Sequence, residues 1–172
     1  MSSEPEFEML VERHYGALYR FALSLTHQDS NAADLTQQTF LVWARKGYQL
    51  RDRTKARTWL FTTLHRLFIE TQRRAARYHD QPLDENEPLL PVLTPIQARQ
   101  VDGATLLAAL ATVDEVFRAP VALFYLEEAS YLEIADMLGV PLGTVKSRIS
   151  RGIAQLQARL ADPIPKQPSQ TL

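Results

Sequence analysis

The chain has 172 residues, 45% of them hydrophobic and 23% charged, with no cysteine and a net charge of −1. That length holds one domain or two small ones, and the missing cysteines exclude disulfides, thiolate metal sites, iron–sulfur clusters and a cysteine nucleophile. No apolar run approaches the roughly 18–20 residues of a membrane span, and the opening MSSEPEFEML carries acids in place of an apolar signal core, so a cytoplasmic protein is expected.

The elements read almost entirely as helices. From Glu6 to Leu25, apolar residues recur at three- and four-residue steps (Phe7, Leu10, Val11, Tyr15, Leu18, Phe21, Ala22, Leu25), which predicts an amphipathic helix. Asn31 to Asp34 reads as the start of a second helix, with a capping side chain and an acid in the first turn. This helix runs to about Arg45, stops at Gly47 and buries Leu35, Thr39, Val42 and Trp43. A polar loop from Gly47 to Lys55 leads to a third helix, from near Thr54 to about Arg77, with Trp59, Leu60, Leu64, Leu67 and Phe68 on its buried side.

The next stretch, YHDQPLDENEPLLPVLTP, has four prolines and four acids. Proline removes a backbone donor and breaks regular structure, so this is expected to be a flexible acidic linker. Thr94, Pro95 and Gln97 suit the N-cap, first helical position and capping box of a helix over Gln97–Thr112. Asp114 to Glu127 is expected to be helical with one bond lost at Pro120. Ser130 and Glu133 form a second capping box, opening a short helix, Tyr131–Leu138, that ends at Gly139. A last helix, about Leu142–Leu160, carries Val145, Ile149, Ile153, Leu156 and Leu160 as its apolar stripe, and a proline-rich tail, ADPIPKQPSQTL, is expected to be disordered. The fold class is therefore all-α, with two small helical domains on a flexible tether.

Charge is unevenly spread. Residues 45–77 hold ten Lys/Arg against two Asp/Glu, and residues 142–160 hold four basic residues and no acid. Local fields of this sign attract polyanions even when the total is near neutral. The second basic stretch lies in SYLEIADMLGVPLGTVKSRISRGIAQL, a short helix, a glycine turn and a longer helix. That is the helix-turn-helix layout. Ile134, Leu138, Val140 and Val145 supply a shared core, and Ala135 is small where the helices cross. Thr144, Lys146, Ser147, Arg148 and Arg151 lie off the Val145/Ile149 stripe, where a recognition helix meets DNA. Arg148 suits a bidentate contact to guanine; Lys146 and Arg151 suit phosphates. A helical hairpin with a solvated basic face is the competing reading, and the combined signals favour DNA.

In the first basic stretch, Tyr48, Trp59, Phe61 and Phe68 interleave with the cations, a combination that binds single strands by stacking and charge. Helical spacing of Trp59 and Phe68 fits a core equally well. On the second helix, Asp34, Gln37, Gln38 and Leu41 share one face, suited either to docking on another helix or to water. The four histidines have no metal-ligand spacing, and no phosphate-binding glycine loop or nucleophile elbow occurs, so no metal, cofactor or enzyme chemistry is expected.

DLTQQTFLVWA, RTWLFTTLHRLFIETQRR and SYLEIADMLGVPLGTVKSRISRGIAQLQARL, in that order, resemble the extracytoplasmic-function (group 4) sigma factors of bacterial RNA polymerase over about residues 7–77 and 104–160. The resemblance implies a sigma domain 2 over 1–79, a linker over 80–96, a helix-turn-helix sigma domain 4 over 97–161 and a tail over 162–172. It implies core RNA polymerase as partner, with Asp34, Leu35, Gln37, Gln38 and Leu41 docking on the β′ clamp coiled coil and aliphatic residues of domain 4 meeting the β flap. It implies promoter DNA as well. Tyr48, Arg51, Arg53, Lys55, Arg57, Trp59, His65, Arg66, Arg73 and Arg74 would capture the melted −10 strand. Thr144, Lys146, Ser147, Arg148 and Arg151 would read the −35 duplex. An anti-sigma factor is a further partner of the kind this family has. Gln38 stands where the family often has an acid. His65–Arg66 stands where it commonly has Arg-Asn, and arginine cannot accept a hydrogen bond as an amide oxygen can. A regulator that never joins polymerase and a helical adaptor binding only protein are the alternatives.

Overall fold

The computed structural model describes residues 4–77 and 103–161. The expected linker, the Thr94/Gln97 capping box, the first residues of the helix placed from Gln97 and the tail lie outside the described residues. Seven α-helices are present among them: α1 (Glu4–Thr26), α2 (Asp29–Lys46), α3 (Ala56–Ala76), α4 (Gly103–Leu110), α5 (Glu115–Tyr125), α6 (Tyr131–Leu138) and α7 (Leu142–Ala161). Two 3₁₀ turns, Gly47–Gln49 and Arg53–Lys55, join α2 to α3.

α1 begins with Glu4 and Glu6 in its first turn, where carboxylates complement the positive end of the helix dipole. It ends at His27, whose φ of 60° turns the chain left-handed and whose N–H bonds the Leu23 carbonyl. α2 starts at Asp29, earlier than the expected Asn31. Extended Gln28 holds the N-cap position, and the Asn31 amide donates to the Gln28 side chain at 2.8 Å, so Asn31 braces the first turn from inside it. Leu18, Phe21 and Leu25 of α1, Phe40 and Trp43 of α2, and Leu60, Phe61, Leu64 and Phe68 of α3 form one core. Thr36 and Thr39 are fully buried beside them; each hydroxyl donates to the carbonyl four residues back, at 2.7 and 2.8 Å, which satisfies a polar group in an apolar setting.

The C-terminal helices are organised around the α5/α7 crossing. Phe117, Val121, Val145, Ile149, Ile153 and Leu156 are buried there. The residue that permits close approach is Gly152. A Cβ built on it would lie 2.4 Å from Val121 Cγ2 and 3.1 Å from Phe117 Cβ. Ala135, expected to be small where α6 and α7 meet, belongs to that separate contact and packs partly buried against the core. α5 continues through buried Pro120 to Tyr125; proline removes one i→i−4 donor there without ending the helix. Gln155 of α7 ties the two together, accepting from the Asp114 N–H and donating to the Asp114 carboxylate, both at 2.8 Å.

Both local signals around α6 hold. The Glu133 N–H donates to Ser130 Oγ at 3.2 Å and the Ser130 N–H donates to Glu133 Oε2 at 2.8 Å, a reciprocal capping box. Gly139 closes the helix at φ 65°, a conformation that a Cβ disfavours.

Candidate nucleic-acid interface

α6, the Gly139 turn and α7 form a helix-turn-helix whose second helix exposes Lys146 and part-exposes Thr144, Ser147, Arg148 and Arg151 at its amino-terminal end. Val145 and Ile149 point inward and are completely buried. The rotation of α7 is therefore set by its apolar stripe, which leaves the basic residues on the remaining arc. Arg148 differs from the others. It lines a cavity of about 360 Å³ between the two helical units, opposite His65, Phe68 and Ile69 of α3.

The residues expected to capture an unpaired strand do not form one patch. Tyr48, Arg51, Arg53 and Lys55 lie in or beside the 3₁₀ turns, all exposed. Asp52 shapes this loop by accepting from the Thr54 N–H at 3.0 Å and hydroxyl at 2.6 Å, which lowers its pKa. Arg53 is braced by the Gly47 carbonyl at 3.2 Å, by Glu6 at 3.3 Å and by the Trp43 ring at 5.6 Å. Arg66, Arg73 and Arg74 are exposed on α3. Trp59 is half-buried, set edge-on against buried Trp43 with ring centroids 5.0 Å apart. Phe61 and Phe68 belong to the core and have no face free for stacking. Arg57 turns away from the loop, donating to the Glu127 carbonyl at 2.6 Å and pairing with Glu133 at 3.8 Å.

On α2, Asp34, Gln37 and Gln38 are exposed and Leu41 is 58% exposed. Leu35, expected on this face, is a core residue with 6% exposure. It stands one residue, about 100° of helix rotation, from Asp34, and so joins the apolar stripe.

Arg20 and Glu127 went unnoticed in the sequence, and Glu133 was read only as a helix cap. Glu127, at the end of α5, has a side chain only 4% exposed, paired with Arg20 of α1 at 3.4 Å. Burial raises its pKa, outweighing the opposing pull of Arg20 and Arg57. Partners 107 residues apart leave no periodic trace; the only local hint was a charged pair, Glu127–Glu128, following an apolar helix.

Burial, reinforced by the Arg148 guanidinium, pushes the His65 pKa down to about 4. Unfolding restores an ordinary value of about 6.5, so the unfolded chain binds the extra proton between those limits. Stability should fall as pH drops from about 6.5 to about 4, at up to ~1.4 kcal/mol per pH unit. Arg73, Glu115 and Arg148 line the same cavity. Glu127 acts in the opposite sense, since protonating a carboxylate of raised pKa favours the fold as pH falls. The thermal midpoint is expected to drop on acidification from about pH 7 to about pH 5, and His65→Gln to flatten that profile. An unchanged profile in the variant would contradict the burial of this imidazole.

Comparison with known proteins places this geometry in context. The family model of sigma-70 region 2 matches residues 10–78, and that of sigma-70 region 4 matches residues 104–156. The ECF RNA polymerase sigma factor SigE of Mycolicibacterium smegmatis is 38% identical over 161 residues, covering 91% of this chain; the chain spans 62% of that relative's length. SigL of Mycobacterium tuberculosis is 31% identical over 156 residues, covering 89% of this chain and 88% of its own. Among solved structures, the sigma factor RpoE in complex with the anti-sigma factor NepR from Bartonella quintana superposes with a TM-score of 0.71 at 27% identity, covering 92% of this chain and 98% of its own. No described helix is long and apolar enough to cross a membrane, and no described cluster of His, Asp or Glu could hold a metal.

Proposed function

The chain belongs to the extracytoplasmic-function sigma factors of the sigma-70 family, and we propose that it directs core RNA polymerase to a promoter and helps open it. The observation that carries this reading is the pairing, on one chain, of a capped helix-turn-helix with a basic amino-terminal face and a separate three-helix unit with a basic, loop-braced edge. Residues 1–79 act as sigma domain 2, 80–96 as linker and 97–161 as sigma domain 4.

In this reading α7 enters the major groove at the −35 element. Arg148 meets a guanine edge, Thr144 and Ser147 contact neighbouring bases or sugars, and Lys146 and Arg151 hold phosphates. Tyr48 stacks on an unpaired base of the −10 strand while Arg51, Arg53, Lys55, Arg66, Arg73 and Arg74 track its backbone. Trp59 adds its half-exposed ring, and Arg57 and His65 join them once the two units separate. Asp34, Gln37, Gln38 and Leu41 dock on the β′ clamp, with Leu35 supporting that face from beneath, and aliphatic residues of domain 4 meet the β flap. Binding to the separated strand offsets the loss of base pairing, so opening needs no nucleotide hydrolysis by this chain, and the polymerase supplies all catalysis. The protein works where the polymerase does, in the cytoplasm. An anti-sigma factor is a fitting partner, since the Bartonella quintana sigma factor superposes on nearly the whole chain while bound to one.

Run-off transcription with purified core polymerase and genomic templates tests the proposal. A discrete, chain-dependent transcript is expected; no product from any template overturns it.

A further inference from the structure

We propose that Glu6, in the first turn of α1, is a positioning residue for strand capture: through Arg53 it holds the loop from Gly47 to Lys55 in the shape that presents Tyr48 and Arg51. The capture rests on the functional reading above; the brace rests on geometry alone.

The loop leaves α2 across an aromatic ring. A Cβ built on Gly47 would lie 2.6 Å from both Cδ2 and Cε2 of Trp43, so only glycine passes here. Trp43 is itself fixed, fully buried and set edge-on to Trp59 at 5.0 Å. Arg53 then returns to the same place. Its guanidinium lies 5.6 Å from the Trp43 ring centroid, its Nη1 donates to the Gly47 carbonyl at 3.2 Å, and its Nε meets the Glu6 carboxylate at 3.3 Å. The Gly47 carbonyl also accepts from the Leu50 N–H at 3.0 Å, so Arg53 grips the first 3₁₀ turn at the bond that closes it. A planar guanidinium can serve two oxygens and an aromatic ring at once, which an ammonium cannot.

Glu6 is the part of this brace that comes from outside the loop. Phe7 packs edge-on against buried Phe40, ring centroids 6.5 Å apart, and anchors the start of α1 on α2. Glu6 is therefore presented from fixed backbone. Without it, the remaining contacts of Arg53 join the loop only to itself and to the end of α2.

The charges point the same way. A carboxylate beside a basic edge opposes the attraction of phosphates, so its presence there calls for another role. Two carboxylates meet this loop, and each serves its shape: Asp52 accepts from the Thr54 N–H and hydroxyl, and Glu6 pairs with Arg53. Tyr48 and Arg51 stand between the Gly47 and Arg53 ends of the brace, both exposed. Holding them there before the strand arrives removes an ordering cost from capture.

Glu4 shares the first turn of α1, so Glu4→Gln removes a comparable helix-dipole charge and is the control. The Leu50, Thr54 and Lys55 amides are hydrogen-bonded within the loop and so have protection to lose. In the full-length protein their hydrogen exchange is expected to quicken about threefold in Glu6→Gln and about tenfold in Arg53→Lys, with α3 unchanged and Glu4→Gln like the parent. Lysine keeps the charge that a phosphate needs and loses the fork that the brace needs. With core polymerase on a promoter found by run-off transcription, permanganate reactivity should show opening slowed by similar factors, while affinity for the unopened duplex stays the same. Glu6→Gln in an Arg53→Lys background should add nothing, because Glu6 acts through Arg53. Unchanged exchange in Glu6→Gln and Arg53→Lys overturns the brace, and additive effects in the double variant overturn the route through Arg53. Faster opening in Glu6→Gln, or looser amides with unchanged opening, overturns the positioning role. No transcript from the parent protein on any template would instead sink the sigma-factor reading, and the exchange rates would still decide the brace.

Discussion

Gly152→Val is expected to unfold the C-terminal helices selectively and abolish duplex binding. Inside a helix, replacing glycine by a residue with a side chain ordinarily stabilises; alanine gains about 1 kcal/mol. Here the tertiary contact reverses the sign. The first added carbon would already lie 2.4 Å from Val121 Cγ2 and 3.1 Å from Phe117 Cβ, and both neighbours are buried. Valine adds two further carbons, so α7 must lift off α5 or rotate. Overpacking of a tight core costs about 1–3 kcal/mol, and more where backbone must move. A helical unit of about 60 residues has only ~3–9 kcal/mol in hand. Rotation of α7 would also misdirect Lys146 and Arg148. Hydrogen exchange should show protection lost over α4–α7 and kept over α1–α3. Gly152→Ala should fall between the two, and a variant as stable as the parent would show that the crossing is looser than described.

Arg148→Ala is expected to weaken promoter binding by the polymerase complex about 5–150-fold, the equivalent of the ~1–3 kcal/mol of a bidentate base contact. Lysine should not rescue it, because an ammonium cannot present the paired donors of a guanidinium. The loss should concentrate on one base-pair position. Lys146→Ala should instead weaken all sequences alike and reduce the salt slope by about one. In the free protein Arg148→Ala acts in the other direction, since it removes a cation from beside His65 in the interdomain cavity. His65 should then titrate closer to its ordinary value. Titrating the imidazole by NMR separates this free-state effect from the bound-state loss. Equal affinity across single-base promoter variants for parent and Arg148→Ala would remove Arg148 from the base-reading role.

Much of the molecule was legible in the sequence wherever the deciding interactions run between residues a few positions apart. The Ser130/Glu133 box and the Gly139 terminator are interactions within one turn of chain, so residue type and spacing suffice. The three- and four-residue apolar periods located α1, α2, α3 and α7 to within a few residues, because one face of each must meet a core. The same logic, applied strictly, separates Leu35 from Asp34, Gln37, Gln38 and Leu41, since a single step along a helix turns the side chain by about 100°. The start of α2 was less legible, because a bond between two side chains, Asn31 and Gln28, takes the place of an ordinary cap.

Sequence alone thus determined the helical class, the two local basic surfaces, the helix-turn-helix and the family. Tertiary structure alone decided which aromatics were spent on the core, that Gly152 is the point of close approach between α5 and α7, and that Arg57 and Arg148 turn towards the other unit. It also decided that Glu127, rather than any residue of a recognised motif, joins the halves. The physical reason is range. Helix propensity, capping and amphipathic period act over about four residues and are written in the local order of side chains. Close approach of helices and the pairing of a buried charge depend on what the rest of the chain brings opposite, and Arg20 and Glu127 stand 107 residues apart.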